Sequence, residues 1–467
     1  MRAFSARPTH VSLLVAGAFF MENLDGTVIA TALPEMAKSF DSSPVALNIG
    51  ITAYLLTLAI FIPLSGWITD RLGGREVFTA AIAVFVAASI LCGFSGSVGS
   101  FTAARILQGV GGAMMTPVGR IVVLRSIEKR DLVRAISYLT WPGLVAPLLG
   151  PPLGGFVTQT LSWRWIFFLN VPLGVVAFVL ALLIIPDARA PERKPFDIVG
   201  FALTAVACAG FVYGMDLAGT QTPPLGLIAV LIGAALLAGA LAILHMLRAR
   251  NPLFDLSIMA IPTFSVTVYA GSLFRMAINA LPFLLPLLFQ VGFGLDPFAS
   301  GLLVFCLFAA NLGMKAGTTW VLAHFGFRNV LAVNGIISAF LLAVCALLDR
   351  DTPIAMVVVV LALGGLSRSM QYTALNTIGF VDVPKTQTAA ASAITSMLFQ
   401  LNAGFGIALG ALAVRASAAL GGRASATIAD FHAAFVFVAL VALAGIVQCL
   451  RLPRDAGAEV SGHASAR

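Results

Sequence analysis

An all-α integral membrane protein, with two six-helix halves and two extra transmembrane helices between them, is the fold that three features of this chain predict. Its 467 residues are 59% hydrophobic, with a mean hydropathy of +0.99. Only 10% are charged, against roughly 25% in an ordinary soluble domain. Apolar stretches of about 20 residues, the length that crosses a bilayer, follow one another along the whole chain, and the linkers between them alternate between rich and poor in Lys and Arg.

The fourteen expected spans are 11–34, 47–69, 78–96, 101–124, 134–158, 165–186, 198–217, 224–247, 264–291, 297–323, 328–348, 353–377, 388–416 and 430–451. The start, Met1 to His10 and the apolar run after it, superficially resembles a secretion signal. That run is too long for a signal core, carries Glu22 and Asp25 and offers no convincing cleavage site, so it reads as a retained first span. The first six spans end near Pro186, and the basic stretch Asp187 to Lys194, with Pro191 and Pro195, is the clearest internal linker. Spans seven and eight form a hairpin around Gln221-Thr222-Pro223-Pro224, and the second six begin after Arg248-Ala249-Arg250-Asn251-Pro252. The expected division is an N-terminal half over 1–186, a linker with two additional helices over 187–255, a C-terminal half over 256–451 and a disordered cytoplasmic tail over 452–467. Two six-helix halves point to a carrier with its site at their interface.

Orientation follows from the basic residues. With both termini cytoplasmic, most of the 28 fall inside, among them Arg2, Arg7, Arg71, Arg75, Lys129, Arg130, Arg193, Lys194, Arg248, Arg250, Arg328, Lys385 and Arg451. Lys38, Arg164, Arg350, Arg415 and Arg423 fall outside. The net charge of +8 is thereby explained by membrane orientation without a nucleic-acid partner. All five cysteines lie in expected spans, so no disulfide framework is implied.

Three motifs sit at matching topological positions. Between spans two and three lies Gly66-Trp67-Ile68-Thr69-Asp70-Arg71-Leu72-Gly73-Gly74-Arg75, where glycines allow close approach and a tight turn and Asp70 between arginines can form a breakable ion pair. A weaker echo, Val321 to Val330, occupies the same place in the second half; it keeps a glycine followed by Arg328 but lacks the acid. Span four opens with Arg105-Ile106-Leu107-Gln108-Gly109-Val110-Gly111, whose Arg105 and Gln108 either contact the first-span carboxylate or, for Arg105, snorkel to the outer interface. Span five carries Gly150-Pro151-Pro152-Leu153-Gly154-Gly155, suited to a rocking surface and equally to plain helix packing.

These segments resemble the signatures of the major facilitator superfamily. The third is similar to the glycine-proline motif of its antiporters. The runs Leu24-Asp25-Gly26-Thr27-Val28-Ile29-Ala30-Thr31-Ala32-Leu33-Pro34 and Ser162-Trp163-Arg164-Trp165-Ile166-Phe167-Phe168-Leu169-Asn170-Val171-Pro172 resemble those of the fourteen-spanner drug:proton antiporters. The resemblance implies the major facilitator fold, a cytoplasmic gate built on Gly66, Asp70, Arg71, Gly73 and Arg75, and Asp25 as the first-span coupling acid.

An acid near a bilayer centre costs roughly 2.5–3.5 kcal/mol and persists where it faces a cavity, a partner or a proton path. Asp25 is therefore the expected primary proton-coupling residue with Glu22 as helper; a hydrogen-bonded structural carboxylate is the other reading of each. The second half supplies the opposite sign, with Arg275, Lys315 and Arg368 in spans that hold no acid. Together with Asn279 and Asn376 they make a candidate substrate cavity, or they pair across helices as structural elements. No P-loop, zinc-type spacing or nucleophile elbow is present, so neither an enzyme nor a cofactor is expected and energy must come from an ion gradient.

The functional expectation is a multi-pass exporter in a bacterial cytoplasmic (inner) membrane, moving drugs or other small amphiphilic compounds in exchange for protons. An exporter of organic-acid metabolites or their metal chelates is the alternative, favoured by the three bases. A membrane sensor without turnover is the more remote one. The expected partners are a small-molecule substrate, protons and the lipid bilayer, with a periplasmic adaptor left open and a monomer otherwise.

Overall fold

The computed structural model describes residues 8–126, 132–185, 195–218, 224–384, 387–423, 425–453 and 456–458, with most side chains of 124–144 outside the description. The expected linker 187–194, Lys129, Arg130, Lys385, the hairpin tip 221–223 and most of the tail 452–467 lie outside the described residues. Every regular element among the described residues is helical. The chain divides into two compact units, one of Met1–Phe196 with Asp296–Gly301, the other of Asp197–Leu295 with Leu302–Arg467. The hairpin expected between the halves thus clusters with the second unit.

The first unit holds α1 (Pro8–Ser39), α2 (Asn48–Leu72), α3 (Gly74–Phe94), α4 (Val98–Ser126), α5 (Leu132–Thr160), the single turn α6 (Trp165–Phe168) and α7 (Asn170–Ile184). Only Gly73 separates α2 from α3, at φ 103° and ψ 148°. That backbone region is essentially reserved for glycine, so the sequence permits the reversal at this one residue. The core is Val15, Phe19, Phe78, Phe85, Met115 and Val118 with their neighbours, brought together by α1, α3 and α4. Close packing around α4 depends on missing β-carbons. One at Gly109 would sit 2.9 Å from the Tyr54 carbonyl of α2, and one at Gly111 2.8 Å from the Phe85 nitrogen of α3.

The second unit holds the hairpin α8 (Ile198–Ala218) and α9 (Leu225–Arg248), then α10 (Pro262–Asn279), α11 (Leu281–Leu287) with a π-turn over Leu288–Gly292, α12 (Pro297–Gly313), α13 (Lys315–Val344), α14 (Ile354–Val381), α15 (Thr388–Leu420) and α16 (Ile428–Cys449). The opening turn of α12 clusters with the first unit. Pro262 starts α10 at a position whose N–H is unpaired in any helix. Thr427 and Asp430 form a reciprocal capping box at the start of α16. The hairpin is joined to α15 by Phe211 on Phe405, ring centroids 5.3 Å apart. In its most apolar stretch α9 has a mean hydropathy of 2.8 and buries only 17% of its residues, the pattern of a helix bathed in lipid.

Twelve helices among the described residues are long and apolar enough to cross a membrane, and α12 is a shorter apolar one. α13 is two helices meeting at Gly326, where φ 70° and ψ 161° break the spiral. In the expected span 297–323, α12 runs into α13 through Met314, whose helical dihedrals and bonds to Ala310 and Thr318 keep the turn helical.

Candidate functional site

α1 carries Glu22 and Asp25 one turn apart, and both are buried. From α4, Arg105 Nη1 donates to Asp25 Oδ2 at 2.6 Å and to Gln108 Oε1 at 2.5 Å. Gln108 Nε2 donates to Asp25 Oδ1 at 2.9 Å and to Ser89 Oγ of α3 at 2.8 Å. Asn170, the first residue of α7, adds a third donor to the carboxylate at 2.7 Å. Asp25 thus joins α1 to α4 and α7, and Ser89 of α3 accepts from the two amides that hold it. Both side chains of the ion pair have 0% exposure, and the guanidinium lies 4.0 Å above the centroid of the Tyr54 ring. Two charges out of water are tolerable where each is hydrogen-bonded as well as paired, which this packing achieves for the carboxylate.

Glu22 stands apart from that network. Thr116 Oγ1 donates to its Oε2 at 2.7 Å, and beside it the buried Tyr54 hydroxyl has no hydrogen-bond partner. A β-carbon at Gly112 would lie 3.3 Å from that hydroxyl and 3.8 Å from Glu22 Cγ, so both flank the same point.

The remaining motifs are placed as follows. Arg75 donates through Nη2 to the Leu182 carbonyl of α7, and Arg71 lies 4.3 Å over the Trp67 ring. Asp70 sits half-buried in the last turns of α2. A β-carbon on Gly66 would meet nothing within 4 Å, so close helix approach is not what this glycine provides among the described residues. Gly150 and Gly154 do provide it, since β-carbons there would overlap Thr27 and the Val28 carbonyl of α1, and Gly155 lies against the Pro297 carbonyl. Pro151 turns its own carbonyl toward Gly301. The Ser162–Arg164 run closes the end of α1: Trp163 Nε1 donates to Ser39 Oγ at 2.9 Å and its ring packs edge-on against Phe40.

In the second unit Arg275, 2% exposed, donates to Asn376 Oδ1 at 2.7 Å and reaches the Thr267 carbonyl at 3.5 Å, while its buried Nε has no partner. Arg368 reaches Asn279 Oδ1 at 3.4 Å, and Tyr372 donates to the same oxygen at 2.9 Å. The Arg368 guanidinium lies 5.4 Å from both the Phe308 and Tyr372 ring centroids. No carboxylate contacts either arginine among the described residues. Arg275, Asn279, Arg368 and Asn376 thus form two bonded pairs on α10 and α14, whereas Lys315 stands exposed at the start of α13, away from these bonds. No group of three His, Cys, Asp or Glu side chains is disposed to hold a metal among the described residues.

Sequence reasoning did not assign Asn170, Ser89, Tyr54, Thr116 or Tyr372. Asn170 had a usable signal, as the one polar side chain in the 15 residues of α7. The others are uncharged residues whose spacing on apolar helices is indistinguishable from packing.

A series of apolar helices of membrane-crossing length, several burying charged side chains, defines a polytopic membrane protein. Residues 15–407 match the Major Facilitator Superfamily, and the chain belongs to that family; it is a transporter and not an enzyme. It is 35% identical over 400 residues to a protein of Pectobacterium carotovorum named "Putative multidrug resistance protein MdtD", covering 85% of each chain. A Salmonella paratyphi A protein of the same name is 33% identical, with 95% of this chain and 94% of that one covered. Among solved structures, a D-xylose-proton symporter superimposes with a TM-score of 0.68 at 14% identity, over 96% of this chain and 99% of that one. The human organic anion transporter MFSD10 superimposes with a TM-score of 0.60, also at 14% identity, over 95% of this chain and 99% of that one. At such identities the likeness concerns the fold.

Proposed function

We propose that this transporter is a proton-coupled exporter of small amphiphilic compounds, of the drug:proton antiporter type, in the cytoplasmic membrane of a bacterium. The observation that carries the reading is the pair of buried carboxylates on α1, of which only Asp25 is neutralised by a cation among the described residues. A second buried acid is costly in a bilayer and persists where a proton comes and goes. The glycines of the Gly150–Gly155 segment, pressed against α1, support the antiporter assignment, and the names of the relatives support efflux of drugs. Fourteen crossings follow if α5 counts as one, if α12 continues through the start of α13 as another, and if Gly326 separates the next. Both termini then lie in the cytoplasm, and the coupling needs no cofactor. Reconstituted in proteoliposomes, the protein should move ethidium against its gradient when a pH difference is imposed. Transport indifferent to that difference would sink the reading.

A second reading is favoured by one observation. Arg275 and Arg368 lie in the second unit without carboxylate partners, and Arg275 Nε and Asn279 Nδ2 are buried and unbonded. A cargo bearing a carboxylate would satisfy them, making the protein an exporter of organic acids or their metal chelates. Arg275→Gln together with Arg368→Gln should then abolish anion transport and spare ethidium.

A further inference from the structure

The two acids of α1 are chemically unlike each other. Every contact to Asp25 comes from an N–H donor: the Arg105 guanidinium on one oxygen, and the Gln108 and Asn170 amides on the other, within 2.6–2.9 Å. Such a shell suits a carboxylate anion. A proton placed on Asp25 would find a guanidinium, which has no acceptor capacity, and would strip a fully buried cation of its counter-charge. Glu22 has the opposite surroundings. Its bonded neighbour is the Thr116 hydroxyl, and the unpartnered Tyr54 hydroxyl lies beside it. A hydroxyl donates to a carboxylate and accepts from a carboxylic acid by rotating, so Thr116 can serve both protonation states of Glu22 without any helix moving. Both acids are buried, Glu22 at 7% exposure and Asp25 at 1%.

We propose that Glu22 is the group that takes up and releases the transported proton, and that Asp25 with Arg105 is a permanently ionised clamp holding α1, α3, α4 and α7 together. The assignment rests on the antiport reading above. The Tyr54 ring lies under the Arg105 guanidinium, while its hydroxyl and Glu22 Cγ flank the same point beside Gly112. The other charged or titratable groups on the neighbouring helices are Arg75, Glu76 and Cys92 on α3, the last in contact with Gln108, and the exposed Arg120 on α4, whose Arg125 side chain is outside the description; α6 and α7 carry none. Arg134 and Tyr138 of α5 belong to a stretch whose side chains are outside the description.

The test uses the purified full-length protein and needs no substrate. Infrared difference spectra recorded across a pH titration report the carbonyl stretch of a protonated carboxylic acid. The wild type should show a band that disappears as pH rises; Glu22→Gln should lack it, and Asp25→Asn should keep it. Should Asp25→Asn fail to fold, Thr116→Val provides the second arm, since losing the hydroxyl should shift the band in frequency and in midpoint. A wild type with no titrating band, a band that survives in Glu22→Gln, or one that ignores Thr116→Val would overturn the assignment. Ethidium transport driven by a pH difference in proteoliposomes is measured in parallel. Its absence in the wild type would overturn antiport itself, whereas its presence with a band that belongs to Asp25 would overturn only the choice of Glu22.

Discussion

Gly73 and Gly326 break the helical path with closely similar dihedrals, φ 103° and ψ 148° for the first, φ 70° and ψ 161° for the second. Each is followed two residues later by an arginine that donates to a main-chain carbonyl at the far end of its own unit's chain run, Arg75 to Leu182 and Arg328 to Leu450. The weak echo between the halves is thus a shared structural device: a left-handed glycine reverses the chain, and the arginine beyond it ties the reversal to a later helix. A side chain with a β-carbon is strained in this region by about 1–3 kcal/mol. Gly73→Ala and Gly326→Ala should each lower the melting temperature of the detergent-solubilised protein, and by similar amounts.

Removing one member of a buried ion pair costs about 3–5 kcal/mol, because the survivor is left charged and alone. Arg105→Gln should therefore sharply reduce the yield of folded protein. Combining it with Asp25→Asn should recover much of the loss, and a thermal-stability double-mutant cycle over the four proteins should return a large favourable coupling.

Asn170 gives the same carboxylate one hydrogen bond, worth about 1.5–3 kcal/mol when the acceptor is charged. Asn170→Leu should destabilise the protein by that order and less than Arg105→Gln does. Melting curves of the two variants measured side by side check the ranking.

Two glycines of the sequence motifs should behave oppositely when mutated. A β-carbon at Gly154 would overlap the Val28 carbonyl, which cannot rotate away, so Gly154→Ala should cost about 1–3 kcal/mol and impair transport. At Gly66 the added carbon meets nothing within 4 Å, so Gly66→Ala should leave folding unchanged.

Asp197, just outside α8, accepts hydrogen bonds from the Gly200 and Leu253 nitrogens and from His245 Nε2. Burial pushes its carboxyl upward, and those three bonds outweigh it, holding the group below its ordinary value. A depressed carboxylate contributes stability that is fully present above its unfolded value, about 3.9, and is lost as pH falls through the folded one. The melting-temperature gap between wild type and Asp197→Asn should stay constant from neutral pH down to about 5 and close below about 4.

What could be read in advance was what bilayer physics enforces. Span length, hydropathy and the cation bias marked the helices, and the cost of Glu22 and Asp25 in hydrocarbon marked them as unusual. The meeting of Arg105 and Gln108 with Asp25 depends on the packing of α1 against α4, which spacing within either helix does not determine, so contact and snorkelling looked equally open. The division of labour between the two acids was invisible, because it is set by Thr116, Tyr54 and Asn170, residues common in any membrane helix. The break at Gly326 lay inside an apolar stretch and carried no proline to announce it.

The clamp on Asp25 also carries a timetable. Its arginine lies 80 residues later in the chain and its asparagine 145. At a synthesis rate of about 5–20 residues per second, α1 leaves the ribosome roughly 4–16 s before the charge that neutralises it. Unneutralised, Asp25 costs roughly 2.5–3.5 kcal/mol in lipid during that interval, which favours α1 staying with the insertion machinery until α4 arrives. Biogenesis of the first half is then governed by a delayed capture rather than by one-by-one release of its helices, and a stall in translation between α1 and α4 would strand an unneutralised acid at the membrane.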